Sequence, residues 1–224
     1  MHAYEIEIKS LLGSTEKAQD IRDKMRVLDP NTMLTKENKQ LNHYFINGDM
    51  AKLCEHILPL FAEKEQKRLK KIIEEGKEFS IRNRQQNDRV LLVIKASIDD
   101  TTSANGIARI EFEEPVQKTL AELDEILLSA GFVYQAKWSR EREEYLCKGV
   151  TVCLDKNAGY GYVAEFEKMV DSADHALVVQ KELRDFMAEL GADELPQDRL
   201  ERMFSYYNKN WQDYYGTEKI FTIE

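Results

Sequence analysis

The chain is poor in the residues that punctuate or cross-link a fold. It has four prolines, ten glycines and three cysteines in 224 residues. No Pro/Gly/Ser-rich stretch divides it, so it reads as a single domain over residues 1–224. Cys54, Cys147 and Cys153 are odd in number and contain no CxxC pair, which excludes a disulfide framework and a zinc knuckle. His2, His43, His56 and His175 are scattered with no HxxxH pattern, so any metal would sit among oxygens. No apolar run approaches the roughly 18 residues of a membrane span. The N-terminus, MHAYEIEIK, is charged where a signal peptide needs an apolar stretch, so a cytoplasmic location is expected. Positive charge is also in deficit. A net charge of −9 disfavours an extended nucleic-acid footprint, although a local basic pocket stays compatible with it. Gly159 and Gly161 belong to no dinucleotide fingerprint, and there is no P-loop.

What is present is alternation. Residues 3–11, 40–46, 78–84, 90–97, 107–113, 140–146, 150–155 and 160–169 read as strands, the last two joined by a hairpin across Asn157-Ala158-Gly159. Residues 15–28, 116–130, 173–190 and 197–210 read as helices, with a short terminal strand at 219–223. Asp49 caps a further helix that Pro59 interrupts, and the charged stretch 63–78 continues helically as an exposed arm gripped only by Leu69, Ile72 and Ile73. The domain thus carries a helical insertion at about 48–77 and a helical tail at about 192–224. Strands whose faces alternate suit an antiparallel sheet better than a parallel one. The expected class is α+β: a closed or nearly closed antiparallel eight-stranded β-tunnel with helices packed outside.

One face of nearly every strand is charged, and the signs are sorted. Glu5, Glu7 and Lys9 share a face opposite Ile6 and Ile8, and Arg82 shares one with Arg84. Lys95 follows an apolar run, while Arg109, Glu111 and Glu113 lie together opposite Ile110 and Phe112. Arg140 pairs with Arg142, Asp155 ends a strand, and Glu165 and Glu167 lie opposite Ala164 and Phe166. Charged faces ordinarily meet solvent. Here the interleaved helices need an apolar surface to pack on, which turns the charged faces inward. Buried acidic and basic groups together are costly unless a ligand completes them. Carboxylates suit hard cations and arginines suit phosphate oxygens, so the ligand that needs both is a metal-bound polyphosphate.

The opening Glu5-Ile6-Glu7-Ile8-Lys9 resembles the ExExK signature of the CYTH, or triphosphate tunnel metalloenzyme, superfamily. Its later pieces follow in order: Tyr44-Phe45, Arg82-x-Arg84, Lys95, Arg109-x-Glu111-x-Glu113, Arg140-x-Arg142 with Tyr145, Val152-x-Leu154-Asp155, Glu165-x-Glu167 and Ser205-Tyr206. Where the family often has Asp, this chain has Asn42. The resemblance implies that Glu5, Glu7, Glu111, Glu113, Asp155, Glu165 and Glu167 hold Mg²⁺ or Mn²⁺. It implies that Lys9, Arg82, Arg84, Lys95, Arg109, Arg140 and Arg142 hold a triphosphate-containing small molecule. Glu5, Glu7, Lys9, Arg82 and Arg84 are the expected catalytic set. The activity implied is metal-dependent triphosphate hydrolysis. The alternatives are class IV adenylyl cyclase chemistry, making cyclic AMP and pyrophosphate from ATP, and a non-catalytic polyphosphate-binding module. The aromatic tail of Tyr206, Tyr207, Trp211, Tyr214 and Tyr215 suits helix packing or a homodimer contact better than base stacking.

Overall fold

Short polar residues set the helix starts. Ser14 accepts from Lys17 N to open α1 (Thr15–Leu28), Asp49 accepts from Ala51 N and Lys52 N to open α2 (Met50–Ile57), and Thr119 forms a capping box with Glu122 to open α4 (Leu120–Ser129). Pro59 ends α2 in a single 3₁₀ turn, Leu58–Leu60, before α3 (Glu63–Glu75). The remaining helices are α5 (Ala176–Leu190), which ends on Gly191 in the left-handed region, and α6 (Gln197–Asn210). The computed structural model describes residues 4–97, 109–172 and 175–223. The expected strand and helix residues Ala3, Ile107, Ala108 and Ala173 lie outside them.

The strands are β1 (Tyr4–Gly13), β2 (Met33–Ile46), β3 (Phe79–Gln86), β4 (Arg89–Ser97), β5 (Arg109–Val116), β6 (Val133–Cys147), β7 (Val150–Asn157) and β8 (Gly161–Val170). The α+β class expected from the sequence, eight antiparallel strands with helices packed on them, is the class of this fold. The chain divides into two compact units. The first takes the described residues up to Lys39 and from Ser139 onward, and the second those from Gln40 to Trp138.

In the first unit β1, β8, β7 and the second half of β6 form a continuous antiparallel ladder. Ile6, Ile8, Val152, Leu154, Ala164 and Phe166 turn to one side and are buried with Ile21 and Met25 of α1 and Leu183 and Phe186 of α5. Gly159 closes the β7–β8 turn at φ +85°, and a Cβ there would lie 2.8 Å from the Tyr207 ring, so both the turn and the packing of α6 require glycine. In the second unit β2, β3, β4 and β5 form the ladder. Ile81, Leu92, Ile94, Ile110 and Phe112 are buried with Leu53, Leu69, Ile72, Leu123 and Leu127 of the helices. In each unit, then, the apolar strand face is the one the helices cover.

Several expectations need correction. Strand β2 starts at Met33, seven residues earlier than the alternation suggested. Its exposed first half has no apolar face to read and is tied instead to β6, with Thr35 Oγ1 donating to the Glu144 carbonyl at 2.9 Å and Lys39 Nζ 2.7 Å from Glu141. Strand β6 likewise begins at Val133. Helix α4 begins at Leu120 because β5 runs through Val116 and Thr119 takes the cap. Helix α3 is more than an exposed arm. Leu69 and Ile72 are buried, and Arg68 lies 5.1 Å from the Phe112 ring centroid while donating to Glu114 Oε1 at 2.5 Å. The terminal strand reduces to one parallel bridge between Gly159 and Ile220, beside an aromatic cluster of Tyr160, Tyr206, Tyr207, Tyr214 and Phe221.

Candidate functional site

The faces left uncovered by helices carry the charges. In the first unit, register brings them into rows: Glu7 pairs with Glu167, Lys9 with Glu165, Glu165 with Cys153, and Asp155 with Arg142. Lys9 Nζ donates to Glu165 Oε1 at 3.0 Å and contacts Glu7 Oε1. Asp155 is fully buried and binds two arginines at once. Arg142 donates from Nε to Oδ1 at 2.7 Å and from Nη2 to Oδ2 at 2.6 Å, and Arg140 Nη1 reaches Oδ2 at 2.7 Å. Arg142 Nη2 also contacts Glu165 Oε2.

These pairs set the protonation states. Burial alone would raise the Glu165 pKa, but Lys9, Arg142 and Arg140 overcome it and hold the carboxyl well below its usual range. Burial likewise works against the Arg142 charge, and Asp155 with Glu165 drives its pKa upward instead. Glu5, Glu7 and Glu167 offer carboxylate oxygens that lie within 4.8 Å of one another. Like charges directly opposite on neighbouring strands repel, so Glu7 facing Glu167 disfavours the metal-free state. Three hard oxygen donors in that space fit Mg²⁺ or Mn²⁺. A second cluster joins Cys153, Glu165 and Glu167, with Cys153 Sγ 3.8 Å from Glu167 Oε1. The alternation that marked Asp155 also puts Cys153 on the same face, and that was the overlooked signal.

In the second unit Arg84 is held from both sides. It donates from Nε to Asn42 Oδ1 at 2.9 Å and from Nη1 to the two Glu113 oxygens at 3.0 and 2.9 Å. Asn42, the position where the family often has Asp, is thus a support for an arginine. Arg82 Nη1 contacts the Tyr44 hydroxyl, and Lys95 Nζ lies 3.4 Å from Glu111 Oε2. Among the buried side-chain atoms left without a hydrogen-bond partner, two belong to Arg82 and Glu111. Arg82 Nε donates to nothing, and Glu111 Oε1 accepts no hydrogen bond and lies 4.0 Å from Arg82 Nη2. Buried polar atoms are nearly always paired, so this donor and this acceptor fit a site that polar ligand atoms complete. Burial opposes the Arg82 charge, but Tyr44 and Glu111 raise its pKa; burial raises Glu113, but Arg84, Arg82 and Lys95 bring it down.

The structure therefore brings Glu5, Glu7, Lys9, Arg140, Arg142, Asp155, Glu165 and Glu167 together in one unit and Arg82, Arg84, Lys95, Glu111 and Glu113 together in the other. Arg109 of β5 pairs with Ser97 of β4, and nothing of its side chain belongs to the described residues. Tyr145 turns to the helix side, where it donates to Glu143 Oε2 at 2.7 Å; burial and Glu143 push its pKa up to about 12.

Known proteins repeat this fold. A conserved hypothetical protein from Pyrococcus furiosus is similar over 84% of this chain and 91% of its own, with 18% identity and a TM-score of 0.60. A protein from Pyrococcus horikoshii is similar over 89% of this chain and 99% of its own, with 22% identity and a TM-score of 0.59. A candidate adenylate cyclase from Vibrio parahaemolyticus is similar over 92% of this chain and 99% of its own, with 13% identity and a TM-score of 0.60. No curated protein matches the sequence. Residues 74–199, more than half of the chain and the stretch that carries Arg82, Glu111, Arg142 and Glu165, match the CYTH domain, and the chain belongs to that family.

Proposed function

We propose that the chain binds a triphosphate-containing small molecule with a divalent cation and hydrolyses it. The observation that carries this reading is the Glu5–Glu7–Glu167 oxygen cluster beside Lys9, Arg140 and Arg142. Mg²⁺ or Mn²⁺ would be held by Glu5, Glu7 and Glu167, and when bound it supplies charge neutralisation and orientation of phosphate oxygens. The chain's own residues do the rest. Asp155 fixes the planes of the Arg140 and Arg142 guanidinium groups, so that their positive charge meets phosphate in one orientation. Lys9, held at Glu165, adds a point charge. Arg82 and Arg84, supported by Tyr44 and Asn42, are further phosphate-binding groups, and the open Arg82 Nε–H supplies a donor. In hydrolysis water forms a bond to the terminal phosphorus as the bridging P–O bond breaks. The shortened chain leaves with the bridging oxygen and its electron pair, the attacked phosphorus becomes orthophosphate, and the proton of the water passes to a product phosphate oxygen or to solvent.

Cyclisation is the second reading, favoured by the fold shared with the candidate adenylate cyclase from Vibrio parahaemolyticus. Incubation with tripolyphosphate and with ATP, each with Mg²⁺ or Mn²⁺, followed by product analysis, separates the two. Orthophosphate release is the expected result. Cyclic AMP with pyrophosphate overturns hydrolysis in favour of cyclisation, and binding with no turnover leaves only a polyphosphate-binding module.

A further inference from the structure

One buried carboxylate ties three strands to a helix behind the arginine pair. Asp124 stands on α4 among Leu120, Leu123 and Leu127, only 4% exposed. Its Oδ1 accepts from Asn83 Nδ2 at 2.8 Å, and its Oδ2 accepts from the Tyr134 hydroxyl at 2.8 Å and lies 2.6 Å from His43 Nδ1. A buried charge costs several kcal/mol before its partners are counted, and a leucine would fill this place in the apolar stripe. Packing therefore does not account for it.

What Asp124 grips does. Asn83 is fully buried and sits between Arg82 and Arg84 on β3, with its side chain on the helix face and theirs on the other. His43 sits between Asn42 and Tyr44 on β2, the two residues that support Arg84 and Arg82. The carboxylate holds, from behind, the residue between the two arginines and the residue between their two supports. Alternation makes that grip matter: a shift or roll of β3 at Asn83 re-aims both arginines together.

We propose that Asp124 is a positioning residue, which through Asn83 and His43 sets the β2–β3 ladder so that Arg82 and Arg84 meet the phosphate groups of the substrate. The inference rests on the phosphate-binding reading of these arginines. A carboxylate suits the task because hydrogen bonds to a charged acceptor are short and directional, whereas an apolar contact would leave the strand free to roll.

The test is metal-free titration of tripolyphosphate into the wild type, Asn83→Leu, Asp124→Asn, Arg84→Ala and the Asn83→Leu/Arg84→Ala double variant. Thermal melts and Mg²⁺ titrations are run on each. Arg84→Ala should weaken binding by about tenfold or more, and Asn83→Leu by somewhat less. The double variant should fall well short of the product of the two losses, because Asn83 acts through the arginine. Mg²⁺ affinity should hold in Asn83→Leu, which a general loosening of the fold would not allow. Asp124→Asn keeps the shape and can pair with a turned Asn83 amide, so it should weaken binding only a few-fold, and it serves if Asn83→Leu does not fold. Wild-type affinity in both Asn83→Leu and Asp124→Asn, alongside a loss in Arg84→Ala, overturns the positioning role alone. Independent, multiplying losses overturn it as well. Unchanged affinity in Arg84→Ala overturns the phosphate reading, and this inference with it.

Discussion

Glu167 concentrates the conflict that a ligand would resolve. It faces Glu7 across the β1–β8 ladder, shares one oxygen cluster with Glu5 and Glu7, and shares another with Cys153 and Glu165. Lys9 contacts both Glu7, the carboxylate that faces Glu167, and Glu165. Glu167→Gln removes one repelling charge and keeps the shape of the side chain. In excess chelator the variant should melt at or above the wild-type temperature. Mg²⁺ should stabilise the wild type by about 2.7 kcal/mol at a concentration near 100 times its Kd, and stabilise the variant far less. A variant that melts well below the wild type in chelator yet keeps the full Mg²⁺ shift would show that Glu167 is structural and holds no cation. Calorimetry in paired buffers reads both quantities.

At the scale of elements, helix α3 is the place where the sequence misleads and the structure corrects. Its run of Glu and Lys hides how deeply Leu69 and Ile72 sit, because only these two of its thirteen residues are buried, with Ile73 packed half-buried beside the core. Leu69 is fully buried, so Leu69→Ala should cost about 2–5 kcal/mol, read as a lower urea midpoint with unchanged slope. An exposed arm would give less than about 0.5 kcal/mol. The contrast with β1, β7 and β8 explains what was legible. There Ile6 and Ile8, Val150, Val152 and Leu154, and Ala164 and Phe166 alternate as buried apolar residues, so period two places Glu5 and Glu7, Asp155, and Glu165 each on the opposite face of its own strand. The first half of β2 was not legible, because exposed pairing leaves no apolar rhythm; Thr35 and its partner Glu144 lie 109 residues apart. The start of β6 was legible in principle, since Tyr134, Ala136 and Trp138 alternate and the last two are buried. Asp124 was legible in principle as the one charge inside the stripe Leu120, Leu123 and Leu127, but a lone acidic residue on a helix reads as solvated until Asn83 and His43 are seen against it.

Acid stability belongs to the whole molecule, because each unit carries, on the side its helices cover, a carboxylate bound to a polar network. In the second unit burial raises the Asp124 pKa, but His43, Asn83 and Tyr134 together bring it below the usual value. In the first, burial raises Glu143, but Arg22 and Tyr145 bring it down; Arg22 donates from Nε at 2.8 Å and from Nη2 at 3.0 Å. A folded-state pKa below the unfolded one means the unfolded chain binds the proton first. The stability from each group is therefore complete above the unfolded carboxyl value of about 4 and is lost as pH falls through the folded value. Glu143→Gln isolates one such contribution, since it leaves the shape of the α1–β6 contact and removes the charge that Arg22 and Tyr145 bind. At pH 7 it should lower unfolding stability by about 1.5–3 kcal/mol, the range for a hydrogen bond to a charged group. As pH falls through the folded value the wild-type carboxyl takes up its own proton, so the two proteins should converge. Urea titrations at pH 7, 5, 4 and 3 follow the gap between them. A gap that closes only below about pH 4.5 fits a depressed Glu143. A gap of the same size at pH 3 and pH 7 would mean that α1 is held to β6 by packing alone, and that the Arg22–Glu143–Tyr145 network adds nothing to the acid stability of the fold.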